Sequence, residues 1–272
     1  MIGVFDSGVG GLSVLRRFLK NNSDYSYLYL GDNANVPYGN KSPEIIYQYS
    51  QRAIDFLVSQ GAKLIIIACN SASAQALRRL QQEYLPLKHP QIKVLGVIRP
   101  IVEEIAARSN LERIGLIGTR ATINSQVYEI ELKSLRPDLK IFTKATPLLV
   151  PLIEEDWMKK PETKMILKKY LISLKNKQVQ ALVLACTHYP FLLKQFQRIM
   201  GKTCLVLDPS QIVSEKLKDY LTRHPEIDDV LDKDSKILKF FTTDSIEKFQ
   251  DLGERFLGQK MEKVERVSLP LF

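Results

Sequence analysis

Short β-rich runs, many of them apolar, alternate along this chain with longer stretches of helical spacing. The runs at 2–6, 27–31, 64–69, 93–98, 113–118, 140–144, 181–186, 204–207, 239–243 and 264–269 are the candidate strands. Most of the early ones lack polar alternation, as expected of strands covered on both faces. Helical patterns fill the gaps. Segment 43–60 is one, with Ser42 placed to cap its start and Gly61 to stop it. The strand–helix rhythm predicts an α/β fold of mostly parallel sheets flanked by helices.

The rhythm repeats at half-chain scale. Ile2-Gly3-Val4-Phe5-Asp6-Ser7 opens the first half and Ile114-Gly115-Leu116-Ile117-Gly118-Thr119 the second. Further on, Leu64-Ile65-Ile66-Ile67-Ala68-Cys69-Asn70-Ser71 has a counterpart in Ala181-Leu182-Val183-Leu184-Ala185-Cys186-Thr187-His188. The expectation is two similar lobes with the active site in the cleft between them. The first spans 1–95 plus 207–272, because the tail returns to complete it; the second spans 96–206. No Gly/Ser/Pro-rich linker separates them, so the lobes are expected to pack together rather than hang on a tether.

Composition narrows the class. At 272 residues the chain can bury a sizeable core, and 45% apolar with 25% charged residues is ordinary for a soluble globular protein. No apolar stretch reaches membrane-spanning length, and the first residues read as a strand rather than a signal peptide. Three unevenly spaced cysteines make no disulfide framework, which points to a reducing cytoplasm and free thiols. The net charge is +9, concentrated in part at Lys160, Lys164 and Lys168, with Lys159, Lys169, Lys175 and Lys177 nearby. Such spacing reads first as a solvated helix face. No zinc-finger or RNA-recognition signature accompanies it, so nucleic acid is not an expected partner.

In open α/β sheets ligands bind beyond the carboxyl ends of the strands. Polar clusters stand there: Asp6-Ser7-Gly8-Val9-Gly10-Gly11, Asp32, Pro37-Tyr38-Gly39, Cys69-Asn70-Ser71, Thr119 with Thr122, and Cys186-Thr187-His188. Gly8, Gly10 and Gly11 allow a tight turn and close backbone approach to a ligand. Their spacing is not the dinucleotide fingerprint, and no Gly-Lys-Ser/Thr makes a phosphate loop. A backbone-lined site for a small carboxylate fits better.

A lone cysteine ending a buried strand is usually a small apolar residue. Two at matched strand ends, flanked by Asn70 and Ser71 or by Thr187 and His188, read instead as a pair of reagents. The thiolate is the reactive form, and a helix N-terminus favours it. Asp6 and His188 are the candidate proton partners, one per side. Zinc is a competing use of Cys186-x-His188 with Cys69 and Asp6, but one-residue spacing is not a usual zinc pattern. Nor does it fit a cysteine hydrolase, whose histidine comes from a distant segment. His89 and His224 precede prolines and read as structural or solvated; Cys204 reads as core.

Together these residues resemble the cofactor-independent glutamate racemases of the aspartate/glutamate racemase superfamily. The matching motifs are Asp6-Ser7-Gly8-x-Gly10-Gly11, Pro37-Tyr38-Gly39, Ala68-Cys69-Asn70, Gly118-Thr119-x-x-Thr122, Val150-Pro151-Leu152-x-Glu154 and Cys186-Thr187-His188-Tyr189-Pro190, in family order over most of the chain. Two positions depart from the usual pattern. Ser71 replaces a threonine and keeps the hydroxyl; Ala185 replaces a glycine. The resemblance implies interconversion of L- and D-glutamate by thiol–thiolate proton transfer, without cofactor or metal. Cys69, helped by Asp6, would deprotonate the D-enantiomer. Cys186, helped by His188, would deprotonate the L-enantiomer, with Glu154 a further acidic group on that side. Ser7, Asn70, Ser71, Thr119, Thr122 and Thr187 would hold the α-carboxylate and α-amino groups. Pro37, Tyr38 and Gly39 would form the side-chain carboxylate site, held by Tyr38 and the Gly39 backbone. It further implies D-glutamate supply for peptidoglycan, a homodimer, and a DNA gyrase contact for which the lysine face is the candidate surface. An aspartate or other amino-acid racemase of the superfamily is the alternative.

Overall fold

The computed structural model describes residues 1–270. Its strands are β1 Ile2–Asp6, β2 Tyr27–Gly31, β3 Leu64–Ile67, β4 Lys93–Gly96, β5 Arg113–Gly118, β6 Lys140–Ala145, β7 Ala181–Ala185, β8 Leu205–Val206, β9 Leu238–Thr242 and β10 Val264–Arg266. They form a six-stranded sheet, β10-β9-β2-β1-β3-β4, and a four-stranded sheet, β6-β5-β7-β8. Every pairing is parallel. The order β2-β1-β3-β4 in one sheet is reproduced as β6-β5-β7-β8 in the other, so β3 and β7, which lead to the two cysteines, occupy equivalent places. The fold is α/β with two similar lobes. The tail contributes β9 and β10 to the first sheet.

Each candidate strand is present, and the differences lie at the ends. β3 and β7 stop before their cysteines, because the backbone leaves the ladder there to begin the next segment. β10 stops three residues early; as the outermost strand it has a partner on one side only. The segment expected at 43–60 is the helix Pro43–Ser59. Ser42 Oγ accepts from the Ile45 N–H at 3.4 Å, and Gly61 follows at φ +92°.

The other helices that matter to the site can be labelled in order. They are α1 Leu12–Asn21, α2 Pro43–Ser59, α3 Asn70–Gln75, α4 Ile98–Ala106, α5 Arg120–Asn124, α6 Val127–Leu135, α7 Leu149–Glu154, α8 Pro161–Asn176, α9 Leu193–Met200, α10 Pro209–Arg223 and α11 Ile246–Leu257. α1 packs on α10, α10 on α4, and α4 on α6. That chain of contacts carries one apolar core from Val4 and Phe18 in the first lobe to Leu116 and Val183 in the second. A second core, with Phe5, Ile54 and Ile65, lies under α2 on the other face of the first sheet. Each such buried side chain contributes roughly 1.5–3 kcal/mol against exposure, so the lobes are joined by packing. Lys164 and Lys168 are exposed on α8, as read from the sequence, but exposed Met165 and Ile172 interrupt the lysine face. Among the described residues no helix is long and apolar enough to cross a membrane.

Candidate active site

β1 delivers Asp6 to the cleft with no solvent exposure. Its Oδ2 accepts from the Gly8 N–H at 3.0 Å, the Gly11 N–H also bonds it, and its Oδ1 accepts from the Thr187 hydroxyl of the other lobe at 3.4 Å. Burial raises the carboxyl above its ordinary value, against the pull of His188 and these donors. The glycines after Asp6 lie in the expected turn, where the Leu12 N–H bonds the Val9 carbonyl at 3.1 Å and Gly8 lines the cavity, and Gly10 and Gly11 serve a further purpose. None of the three has a positive φ. A Cβ on Gly10 would lie 2.3 Å from Thr187 Oγ1 and 2.5 Å from His188 Nδ1, and one on Gly11 would lie 2.6 Å from Asp6 Cβ. The close approach is to protein. It lets the second lobe's Thr187 and His188 press onto the first lobe's loop, where Ser13 Oγ also donates to the Thr187 carbonyl at 2.9 Å.

Cys69 is the N-cap residue of α3. Its thiol is 3.4 Å from Ser7 Oγ, and the Ala72 N–H bonds the sulfur. Burial pushes the thiol up to about 12; the Asp6 charge adds to this, and the Ser7 and Ala72 contacts only partly offset it. At neutral pH Cys69 therefore keeps its proton. The next two side chains are tied to the second lobe. Tyr128 of α6 donates to Asn70 Oδ1 at 2.8 Å, and Ser71 Oγ lies 2.9 Å from Thr119 Oγ1. Thr119 caps α5, accepting from the Thr122 N–H at 3.2 Å, and its hydroxyl is 3.0 Å from that of Thr122.

The Cys186 side is built differently. No α-helix starts at Cys186; the 3-10 turn Tyr189–Leu192 intervenes before α9. The reason is local: the Tyr189 N–H bonds the Cys186 carbonyl at 3.2 Å, and Pro190 supplies no N–H. What faces the sulfur is His188, with Nδ1 at 3.9 Å. Its Nε2 is 2.8 Å from Glu154 Oε1, at the end of α7, and its ring meets Phe256 edge-on. Burial alone would depress this imidazole. The contacts with Cys186 and Glu154 outweigh burial and raise it to about 10. His188 is an imidazolium at neutral pH.

Both sulfurs open on one cavity of about 280 Å³. Of the residues expected from sequence, Ser7, Pro37, Tyr38, Gly39, Cys69, Asn70, Ser71, Thr119, Glu154, Cys186, Thr187 and His188 line it. Asp6 and Thr122 stand one layer behind. Tyr38 lines the wall, but its phenol donates to Asp32 Oδ2 at 2.6 Å, so what it offers a ligand is its ring and backbone. Arg120, Asn40 and Pro147 also line the cavity and were not expected. Tyr128, Asp32 and Ser13 act behind it. Tyr128 reads as a helix core position, and its partner is 58 residues away, so no local signal marks it. Arg120 occupies a variable position of the Gly118-Thr119-x-x-Thr122 motif, so the motif does not mark it. Among the described residues no group of three or more His, Cys, Asp or Glu is placed to hold a metal ion.

Two thiols facing one small cavity, each with its own ionisable neighbour, suit proton transfer at opposite faces of a bound molecule. Residues 2–217 match the Asp/Glu/hydantoin racemase family. The chain is 39% identical to a glutamate racemase of Geobacter metallireducens, over 98% of this chain and 96% of that one. Among solved structures, glutamate racemase from Francisella tularensis in complex with D-glutamate is similar at a TM-score of 0.88 and 34% identity, covering 98% of this chain and 97% of that one. The isoform RacE1 glutamate racemase of Bacillus anthracis is similar at 0.90 and 32%, covering 100% and 98%. The chain belongs to the Asp/Glu/hydantoin racemase family.

Proposed function

We propose that this racemase interconverts L- and D-glutamate, with Cys69 and Cys186 as its two acid–base groups. The observation that carries the reading is the placement of two thiols after equivalent strands, on one cavity, beside different proton partners. An α-proton is weakly acidic, so the carbanion needs fixed dipoles in a water-poor site. From L-glutamate, the Cys186 thiolate takes the α-proton, and the electron pair stays on the α-carbon. The Cys69 thiol then delivers a proton to the opposite face and is left as thiolate. The D-enantiomer runs the same path backwards. The two environments suit the first direction: Cys69 holds its proton, and a cationic His188 faces the Cys186 sulfur.

Ser7, Asn70, Ser71, Thr119 and Thr187 hold the α-carboxylate and α-ammonium, with Thr122 bracing Thr119. The side-chain carboxylate lies against the 3-10 turn Tyr38–Asn40, whose leading N–H groups have no partner within the turn. Asp6 supports Cys69, and the Glu154–His188 pair supports Cys186. The three cysteines are free and buried, which suits a reducing cytoplasm; there the D-glutamate would serve peptidoglycan synthesis.

The test is incubation of the purified protein with each glutamate enantiomer in D2O, without cofactor. Deuterium should enter the α-position and optical rotation should decay to zero. If aspartate racemises and glutamate does not, the substrate assignment fails. If neither exchanges, the racemase chemistry fails.

A further inference from the structure

The catalytic cavity has a neighbour. A second, open groove of about 590 Å³ lies on the other side of Gly39, Asn40 and Arg120, which line both spaces. The partition is thin. Arg120 Nη1 reaches Asn40 Oδ1 at only 3.5 Å, which joins a turn of the first lobe to α5 of the second. A contact that long between an exposed guanidinium and a neutral amide is weak.

The charge pattern gives the partition a direction. Among the described residues Arg120 is the only Lys or Arg lining the catalytic cavity. The groove adds Lys41 to it, and among the described residues no Asp or Glu lines the groove. Glu44, the nearest carboxylate in sequence, is paired to Arg79 at 2.7 Å. Arg120 itself has no carboxylate partner among the described residues; its recorded bond is the one to Asn40. It is also the first residue of α5, where a cation gains nothing from the helix ends. Folding does not explain an unpaired cation there.

We infer that the groove is an antechamber for an amino dicarboxylate and that Arg120 is its gate. Lys41 and Arg120 attract the doubly carboxylated substrate to the groove. Arg120 then leaves Asn40, follows the distal carboxylate inward, and holds it beside the Gly39 turn. This rests on the glutamate reading above and adds a binding residue to it. The distal carboxylate takes no part in the proton transfers, so its bond to Arg120 is equal in ground and transition states. Losing it raises KM rather than lowering kcat.

The experiment measures kcat and KM for both enantiomers in wild type, Arg120→Ala, Arg120→Lys and Lys41→Ala. Ionic strength is varied from about 0.01 to 0.15 M, over which the screening length falls from roughly 30 to 8 Å. At low salt Arg120→Ala should raise KM about 10-fold for both enantiomers, with kcat within about 2-fold. It should also lose much of the salt dependence of kcat/KM. Arg120→Lys should restore most of the salt dependence, and Lys41→Ala should shift KM in the same direction by less. A wild type that racemises glutamate while Arg120→Ala matches it at every ionic strength overturns this inference alone. So does an Arg120→Ala loss confined to kcat. A wild type that neither binds nor racemises glutamate overturns the functional reading, and this one with it.

Discussion

The surroundings of Cys69 and Cys186 share a scaffold and almost nothing else. Both sulfurs follow the equivalent strands β3 and β7, each paired to the strand that opens its lobe. Around Cys69 the neighbours are a buried carboxylate, a serine hydroxyl and a backbone N–H, and the sulfur keeps its proton. Around Cys186 there is an imidazolium backed by a carboxylate. Duplicated topology places two groups symmetrically; unlike neighbours give them unlike proton partners. The proposed two-step transfer through a carbanion uses that inequality, because one sulfur takes a proton before the other gives one.

The largest expected effect tests whether both sulfurs are needed. Cys69→Ser and Cys186→Ser should each lower racemisation by roughly 10²–10⁴-fold, the usual contribution of a positioned acid or base. Circular dichroism should show both variants folded, since the swap is nearly isosteric. Full activity in either one would break the comparison outright, for the two sides would then not be partners.

A smaller effect tests whether the neighbours divide the work. A racemase has an equilibrium constant of one, so kcat/KM must stay equal for the two enantiomers in any variant. Asymmetry can appear only in how that ratio divides among steps. His188→Asn should make abstraction from L-glutamate more rate-limiting. The primary isotope effect on kcat/KM should then rise with α-deuterated L-glutamate and change less with the D-isomer. Asp6→Asn should do the reverse. Equal changes for both enantiomers in both variants would mean that the neighbours serve the cavity as a whole.

The positions of these groups were legible in sequence to an unequal degree. Unbroken apolar runs marked the central strands β1, β2, β3 and β7, because a parallel strand covered on both faces has no polar positions to confuse the pattern; the outer β6 and β10 carry polar residues and were marked by the strand–helix rhythm. The half-chain repeat marked the equivalence of β3 and β7, and the motifs marked most of the cavity wall. What stayed hidden was contact across the cleft. Gly10 looked like a ligand-binding turn, yet it is a seat for Thr187 and His188, 177 and 178 residues further on. Tyr128 gripping Asn70, and Asp32 taking the Tyr38 phenol, are pairings that spacing does not encode. The 3-10 turn after His188 is not legible either, because strand-to-helix grammar alone does not say how many residues intervene.

The smallest effect is on stability, and it separates the two sides by pH. His188 is raised from 6.5 to about 10 in the folded state, so the fold favours its protonated form. The stability this contributes is fully present below pH 6.5 and is lost as pH rises through about 10. Cys69 is raised from 9.0 to about 12, so its contribution is full below pH 9.0 and is lost as pH rises through about 12. The interval from 6.5 to 9.0 therefore belongs to His188 rather than to Cys69. Thermal unfolding across it should show the melting temperature falling as pH rises in wild type, and falling less in His188→Asn. Cys69→Ser should keep the wild-type slope there and differ from it only at higher pH. If His188→Asn keeps the full slope, the imidazolium is not held by Cys186 and Glu154 as the 3.9 and 2.8 Å contacts imply. The Cys186 side would then be as neutral as the other, and the inequality on which the relay depends would have to arise only when substrate binds.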